Sequence, residues 1–539
     1  MSPNNLLESH FNMEIDLSKY IRKKTAEELQ MDENNNLEDF SKNPLIKTRC
    51  IKDYYDNCNI FVTGSTGFLG KVLIEKLLRS CDGIRKIYIL LRPKRGIGSE
   101  QRFEEYLRNP IFERIRNNNP DILKKLYCIP GDINESNLGL HARDIQLLQQ
   151  NIDIVFHVAA TVRFNEPLKV AANLNTFGTR RVMELCTKMT KLKSLVHVST
   201  AYSNPNLKNV DEQVYGTTST PDHHLFINSV GILPDEFTET IANRFNKRHP
   251  NTYTLTKHMA EHIVLEYNNV LPLCIVRPSI VTAAVNEPYP GWIDNIYGIT
   301  GILMEIGRGT ITTIMGVEEG LVDLMPVDIV CNTLITAGWA NSFIRTPNEI
   351  TVYNCTSGHF NPMNYKELRK HILKYSLLNP SKYIAMYPNF VYRKSRLMHN
   401  IIEIFMHFLP ALMFDVLLRM QGKKPIMFKI AKRVKIAQDT GDYFVLNDWN
   451  FNSKNLKRII RAANQTQLDA NEFCCDVTSL DWDDYIGRYM MGIRTYVLKD
   501  DISSLPKARQ KLQKIYYMKL FLQFLLFATI YFVFYGIWN

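Results

Sequence analysis

The chain has 539 residues, of which 45% are apolar and 22% charged, with a formal net charge of +11. That length exceeds what one hydrophobic core serves, so two or three domains are expected, and the composition excludes collagen-like and broadly disordered chains. The positive charge suits an anionic cofactor or lipid; with no zinc-ligand spacing and no aromatic–glycine RNA motif, no nucleic-acid partner is expected.

Residues 1–57 form a polar extension without an apolar run fit for a signal peptide. The ten cysteines show no C-x-x-C pairing, only the adjacent Cys474 and Cys475, so reduced cytosolic thiols and no metal site are expected. The first strong signal is Ile60-Phe-Val62, a short strand. It is followed by Thr63-Gly-Ser-Thr-Gly-Phe-Leu-Gly70 and then by helical apolar spacing at Val72, Leu73, Leu77 and Leu78. Lys86-Ile-Tyr-Ile-Leu-Leu91 makes a second strand, closing a βαβ unit, and runs into Arg92-Pro-Lys-Arg95. Further strands are predicted at 126–129, 152–156, 194–198 and 273–276, with helices over 171–190 and 253–267. This alternation predicts an α/β fold, a Rossmann-type doubly wound parallel sheet, in a reductase domain over 58–375. The looser stretch 203–251 reads as an insertion over the active site.

Beyond about Leu373 the strands stop, and a mainly helical C-terminal domain is predicted over 376–500. Within it, 397–420 is apolar almost all round yet contains Glu403, His407, Pro410 and Asp415. These interruptions make a free-standing span expensive, leaving a buried helix or a membrane-dipping, acyl-contacting pair. Residues 520–538 carry no charge and rise about 28 Å as a helix, close to the thickness of a bilayer core. Lys507, Arg509, Lys511, Lys514 and Lys519 precede them. The expectation is a single-pass transmembrane anchor at 519–538, with the catalytic domain left on the cytosolic side.

The glycines of the first turn each have a physical task. Gly64 permits the tight turn, Gly67 lets backbone approach a pyrophosphate, and Gly70 lets the helix pack close to the sheet. The helix N-terminus then faces the phosphates. Where a NAD site carries an acidic residue, this chain has Arg92, with Lys94 and Arg95 nearby; a guanidinium suits a 2′-phosphate, so NADPH is the expected cofactor. Asp132, after the third strand, could bind the adenine amino group. His157, also at a strand end, suits cofactor contact or simple packing.

Tyr253-Thr-Leu-Thr-Lys257 places a phenol and an ammonium on one helix face. The ammonium is expected to lower the phenol's pKa from its usual value near 10, and to hold the nicotinamide ribose. A second match, Tyr20 and Lys24, lies before the first strand and is set aside. A hydroxyl from His197-Val-Ser-Thr-Ala-Tyr202 completes the group by bonding the substrate carbonyl: Thr200 or, one residue earlier, Ser199. Tyr253 then protonates the carbonyl oxygen as hydride reaches carbon.

The glycine turn, His-Val-Ser-Thr-Ala-Tyr and Tyr-x-x-x-Lys in this order resemble the extended short-chain dehydrogenase/reductase superfamily. Its fatty acyl-CoA reductase branch is matched more closely. The matching segments are Leu-Leu-Arg92-Pro, Gly131-Asp132, Val-Arg163-Phe-Asn165, Asn175-Thr-Phe-Gly178-Thr179, Arg277-Pro-Ser-Ile-Val281, Pro326-Val-Asp328 and, most specifically, Gly291-Trp-Ile-Asp-Asn295. The resemblance runs from about Cys58 to near Ile493. Ser65 replaces a usual glycine, Ile299 a usual proline, and the stretch between Thr200 and Tyr253 is long, as in this branch.

The cofactor-binding set expected from the motifs and the resemblance is Thr63, Gly64, Ser65, Thr66, Gly67, Phe68, Leu69, Gly70, Arg92, Arg95, Asp132, Ile133, Ala159, Ala160, Lys257 and Pro278. The resemblance implies reduction of a long-chain acyl-CoA to aldehyde and then to alcohol by NADPH, at a membrane. The compartment implied is the endoplasmic reticulum or the peroxisome; no terminal Ser-Lys-Leu is present. The alternatives are a sterol or sugar-nucleotide dehydrogenase on the same scaffold, or an inert membrane-bound lipid-binding scaffold. Chain-length preference and oligomeric state leave no mark in the sequence.

Overall fold

Seven short runs dominated by aliphatic residues pair as one sheet. In the computed structural model they are β1 (Asn59–Thr63), β2 (Lys86–Leu91), β3 (Leu126–Pro130), β4 (Ile154–His157), β5 (Ser194–Val198), β6 (Leu273–Pro278) and β7 (Thr351–Cys355). Their order is β7-β6-β5-β4-β1-β2-β3, and every pairing is parallel. Strands of this kind are buried on both faces, which is why they read as continuous apolar runs rather than as alternation. The structure describes residues 50–216, 223–238, 240, 248–343, 349–465 and 467–538. Most of the N-terminal extension, with Tyr20 and Lys24, and parts of the 203–251 insertion lie outside them.

Chain order reverses between β1 and β4, and at such a switch point a crevice opens beyond the carboxyl ends of the strands. The register aligns those ends: Thr63 lies opposite His157, and His157 opposite His197. The glycine turn, the 158–160 loop and the Ser199–Thr200 pair therefore leave the sheet at one edge. Helix α1 (Phe68–Ser80) follows β1. The helix predicted over 171–190 is composite: Leu168–Ala172, a π-helical turn Asn173–Phe177, and α2 (Gly178–Cys186). Helix α3 (Thr252–Glu266) is started by Asn251, whose side chain accepts the Thr254 N–H at 2.9 Å.

The C-terminal region differs from expectation in two ways. Strands do not stop at Leu373: Val391–Arg393 pairs with Thr313–Met315, and Asn450–Phe451 with Asn209–Val210. Segments of two or three residues are too short for any periodic signal. Nor does the region keep its core to itself. Leu456, Ile459, Phe473 and Val477 join the cluster beneath β1, while Trp482, Tyr485 and Tyr489 join Ile293, Leu303 and Ile372. The tightest seam lies between Gly291, which has a φ of +72°, and Gly492. A Cβ on Gly291 would sit 2.2 Å from the Arg488 carbonyl oxygen, and one on Gly492 only 1.8 Å from that of Gly291. Beside it Trp292 packs on Tyr496 at 4.8 Å, and Asp294 pairs with Lys71 of α1.

Among the described residues two helices are long and apolar enough to cross a membrane: α4 (Arg396–Met420) and the C-terminal helix. The buried-helix reading of 397–420 is corrected, because most large apolar side chains of α4, among them Ile404, Phe405, Met413, Phe414 and Leu417, are exposed. Next come α5 (Met427–Leu446), α6 (Trp482–Gly492) and α7 (Leu505–Trp538). Helix α7 begins well before the uncharged run. Its first turns dock on the body through Arg509 to the Leu378 carbonyl (2.9 Å) and Tyr516 against Tyr387 (5.3 Å). From Leu520 onward Phe521, Leu522, Phe524, Phe527, Tyr531 and Phe532 are among its exposed side chains.

Candidate active site

The glycine turn is shaped by contacts that leave no room for side chains. Gly64 has a φ of +77°, and a Cβ there would stand 2.5 Å from the Ala159 backbone nitrogen; one on Gly70 would stand 2.3 Å from the Gly64 carbonyl oxygen. Gly67 caps α1 without a side chain, so the first-turn N–H groups point to whatever lies before the helix. Ser65 is buried, with a hydroxyl that has no partner among the described residues. A phosphate oxygen is the kind of acceptor that such an orphan calls for, so the turn fits a dinucleotide. Phe68 and Leu69, at the start of α1, turn their side chains to the apolar core. Thr66 is exposed.

Thr63 and His157 are engaged with each other: Thr63 Oγ1 lies 2.7 Å from His157 Nδ1, and the far nitrogen of the ring lies 3.0 Å from Thr179 Oγ1. His157 is thus a packed strut linking β1, β4 and α2, and burial pushes its pKa down to about 3. At the other end of the crevice Arg92 lies 3.4 Å from Asp132, whose second oxygen accepts the Asn134 N–H at 3.0 Å. Arg92 lines a cavity of about 1050 Å³ together with Arg95, Ala160, Arg163, Lys169 and Arg181. Ala159 and Ile133 flank the same edge, Ile133 packed where Gly178 has no side chain. Pro278, the last residue of β6, is buried at the carboxyl edge opposite Cys355.

Tyr253 and Lys257 occupy one face of α3, one turn apart, over the end of β5. The Thr200 hydroxyl stands beside the Tyr253 hydroxyl, where it acts to lower the phenol's pKa. Lys257 Nζ donates to the Val198 carbonyl at 2.6 Å. The structure separates the two candidate hydroxyls. Ser199 turns away and donates to Glu261 at 2.5 Å, and Glu261 is held by Arg277 through bonds of 2.8 and 2.6 Å. This ion pair is sealed from solvent at 1% and 0% side-chain exposure.

The electrostatics also differ from expectation. Tyr253 keeps partial access to the cleft, yet the atoms packed around it push its pKa up to about 12, against a lowering effect from Thr200. Burial outweighs any pull from Lys257, and the phenol stays protonated. Lys257 itself is brought down to about 8 by burial, with Glu261 opposing the shift.

Several groups at the site lay in the quoted motifs without an assigned role, or outside any motif. Phe164 stacks on Tyr253 at 5.8 Å; Phe444 of α5 meets Phe164 at 5.4 Å and Tyr202 at 5.1 Å, and Trp449 meets Tyr202 at 5.2 Å. The C-terminal region thus supplies part of the wall around the tyrosine. Asn175, in the π-helical turn, accepts the Thr161 N–H at 2.8 Å and donates to Thr256 on α3 at 3.0 Å, tying the 158–166 loop to that helix. Glu261 could have been found, since it continues the i, i+4 series of Tyr253 and Lys257.

Residues 62–334 match an NAD-binding family model described as male sterility protein, and residues 406–500 match the Sterile model of the same description. Fatty acyl-CoA reductase 1 of Mus musculus and that of Homo sapiens are each 38% identical to the chain over 465 residues, 86% of this chain and 89% of theirs. Fatty acyl-CoA reductase 2 of Homo sapiens is 35% identical over the same share. Among solved structures, the terminal R domain of the myxalamid PKS-NRPS pathway aligns with a TM-score of 0.53 at 20% identity, covering 81% of this chain and 90% of that one. The reductase domain of a nonribosomal peptide synthetase from Mycobacterium tuberculosis aligns at 0.52 and 16%, covering 82% and 93%. At such identities these two alignments bear on the fold alone.

Proposed function

The chain belongs to the fatty acyl-CoA reductase family, and we propose that its Tyr253–Lys257 site reduces a long-chain acyl-CoA to the alcohol with NADPH, in two hydride transfers. It is an alcohol-forming oxidoreductase with a Rossmann-type domain for a nicotinamide dinucleotide. The observation that carries the site reading is the Tyr253 phenol beside the Thr200 hydroxyl, at the cleft and one helical turn from a buried lysine.

The bound dinucleotide supplies hydride to the carbonyl carbon. Thr200 and Tyr253 both bond the carbonyl oxygen, and Tyr253, kept protonated by burial, gives it a proton. From a thioester the product is a hemithioacetal. Its hydroxyl returns a proton to the Tyr253 phenolate as the thiolate of coenzyme A leaves, giving aldehyde. A second addition to the aldehyde, with the same proton donor, yields the primary alcohol. Lys257, tied to the Val198 carbonyl, fixes the geometry between α3 and the nicotinamide ribose. Arg92 and Arg95 support NADPH over NADH through the 2′-phosphate, and the basic lining of the cavity beyond them suits the phosphates of coenzyme A. Helix α7 supports a tail anchor in the endoplasmic reticulum or peroxisome membrane with the catalytic region in the cytosol. Protease protection of intact organelles reads that orientation directly.

The test supplies membranes holding the chain, or its Tyr253→Phe variant, with labelled acyl-CoAs of several lengths and NADPH or NADH. Fatty alcohol is expected with NADPH, and the variant is expected to lose about 10²–10⁴-fold in kcat in both reductions. Aldehyde as the sole product would remove the second step; unchanged turnover in the variant would remove Tyr253 as the acid.

A further inference from the structure

Helix α4 solves a problem that its sequence poses. Its interrupting polar residues fall at intervals of four, His399, Glu403, His407 and Asp415, with Ala411 completing the series. This places them on one stripe of the helix. The stripe is docked along its length. His399 Nδ1 meets Thr313 Oγ1 at 3.1 Å, Glu403 pairs with Lys435 of α5 at 2.7 Å, and His407 accepts the Thr312 N–H at 3.0 Å. Asp415 accepts the N–H groups of Ile426, Met427 and Phe428 at 2.8, 2.8 and 3.0 Å, joining α4 to the start of α5. With these four side chains turned inward, the opposite face between Ile401 and Leu417 is apolar and open: Phe405, Met413 and Phe414 are each 60% exposed or slightly more.

The chemistry next to this face identifies what covers it. Between Asp415 and Asp439 there are seven cations and no acidic residue. Lys423, Lys424, Lys429, Lys432 and Arg433 are all exposed. An apolar face rimmed by lysines matches lipid tails beneath anionic headgroups. The uncharged part of α7 starts close by, with Lys519 over the Tyr387 ring at 4.9 Å, nine residues before α4 begins. Because one stripe of α4 is bonded to the protein throughout, the helix cannot cross the bilayer.

We infer that α4 lies in the plane of the membrane with its outer face in one leaflet, a second and monotopic membrane contact beside α7, and that the basic start of α5 meets anionic headgroups. Helix α5 then leads from that surface to the reaction centre, since its far end carries Phe444, against Phe164 and Tyr202. A substrate whose acyl chain resides in the leaflet has a protein surface to follow from lipid to Tyr253.

The full chain reconstituted in phosphatidylcholine–phosphatidylserine vesicles, with a phosphatidylcholine bearing a diazirine in its acyl chain, tests this after irradiation and peptide mass analysis. Lipid adducts are expected on peptides from 397–417 as well as from 520–535, and none on the polar helix Ser99–Leu107. Adducts confined to 520–535 would overturn the inference. So would chemical cross-links joining 397–417 of two copies, which would make the face a contact between protomers.

Discussion

Helices α3 and α4 treat the same chemical problem in opposite ways. Along α3, spacing by four residues carries Tyr253, Lys257 and Glu261 into the centre of the molecule, where Glu261 is locked to Arg277 and Lys257 loses much of its affinity for a proton. Along α4 the same spacing carries His399, Glu403 and Asp415 inward, but the reward lies on the other face, where phenylalanines and leucines stand in the open. Periodicity therefore reports which residues share a face, and says nothing about which face looks to water. Only the bonding partners tell the two helices apart.

That contrast can be broken or sharpened by measurement. The largest effect is expected where a buried charge loses its partner: Arg277→Met leaves Glu261 uncompensated and should lower unfolding free energy by about 3–5 kcal/mol in urea titrations of the detergent-solubilised chain. Two phenylalanines should behave just as unequally. Phe156→Ala, on a fully buried ring, should lose about 3–5 kcal/mol, whereas Phe414→Ala should stay within about 0.5 kcal/mol. Equal losses would place Phe414 in a protein core. Arg92→Ser should raise KM for NADPH by roughly ten- to a hundred-fold, the equivalent of about 1.5–3 kcal/mol for a lost charge-assisted bond, and leave KM for NADH alone.

The subtlest test concerns Lys257. Its ammonium is brought down to about 8 by burial and supported by Glu261, and in the proposed mechanism the charged form is required, so turnover should fall as pH rises through about 8. Glu261→Gln removes the charge that raises this value, so the falling limb of kcat against pH should move to lower pH. Tyr253, pushed up to about 12, adds no limb below that. An unmoved limb would detach Glu261 from Lys257.

Much of this was legible in the sequence because it is local. Strands β2 and β5 sit within the predicted bounds, and the glycine turn and the Tyr253–Lys257 helix stand where spacing put them, since strand, turn and helix are written in consecutive residues. What escaped depends on distant partners. Whether Ser199 or Thr200 faces the tyrosine is decided by Glu261, and the state of His157 by Thr63 and Thr179. No pattern announces that Phe444, far along the chain, closes the aromatic wall. The lowered phenol pKa expected from the neighbouring lysine failed for a similar reason: burial depends on everything packed around a group, and a single neighbour is a poor guide to it.

The meeting of Gly291 and Gly492 has a bearing on how such a protein can change. Two backbones touch there with no allowance for even a methyl group, one from the loop of the Gly-Trp-Ile-Asp-Asn segment and the other from the end of α6. Neither strand of this weld can drift alone in the course of descent. A chimera that grafts the helical half of one relative onto the reductase half of another would have to inherit both glycines or open the joint, so the two halves travel as a single heritable unit although the sequence presents them as separable modules.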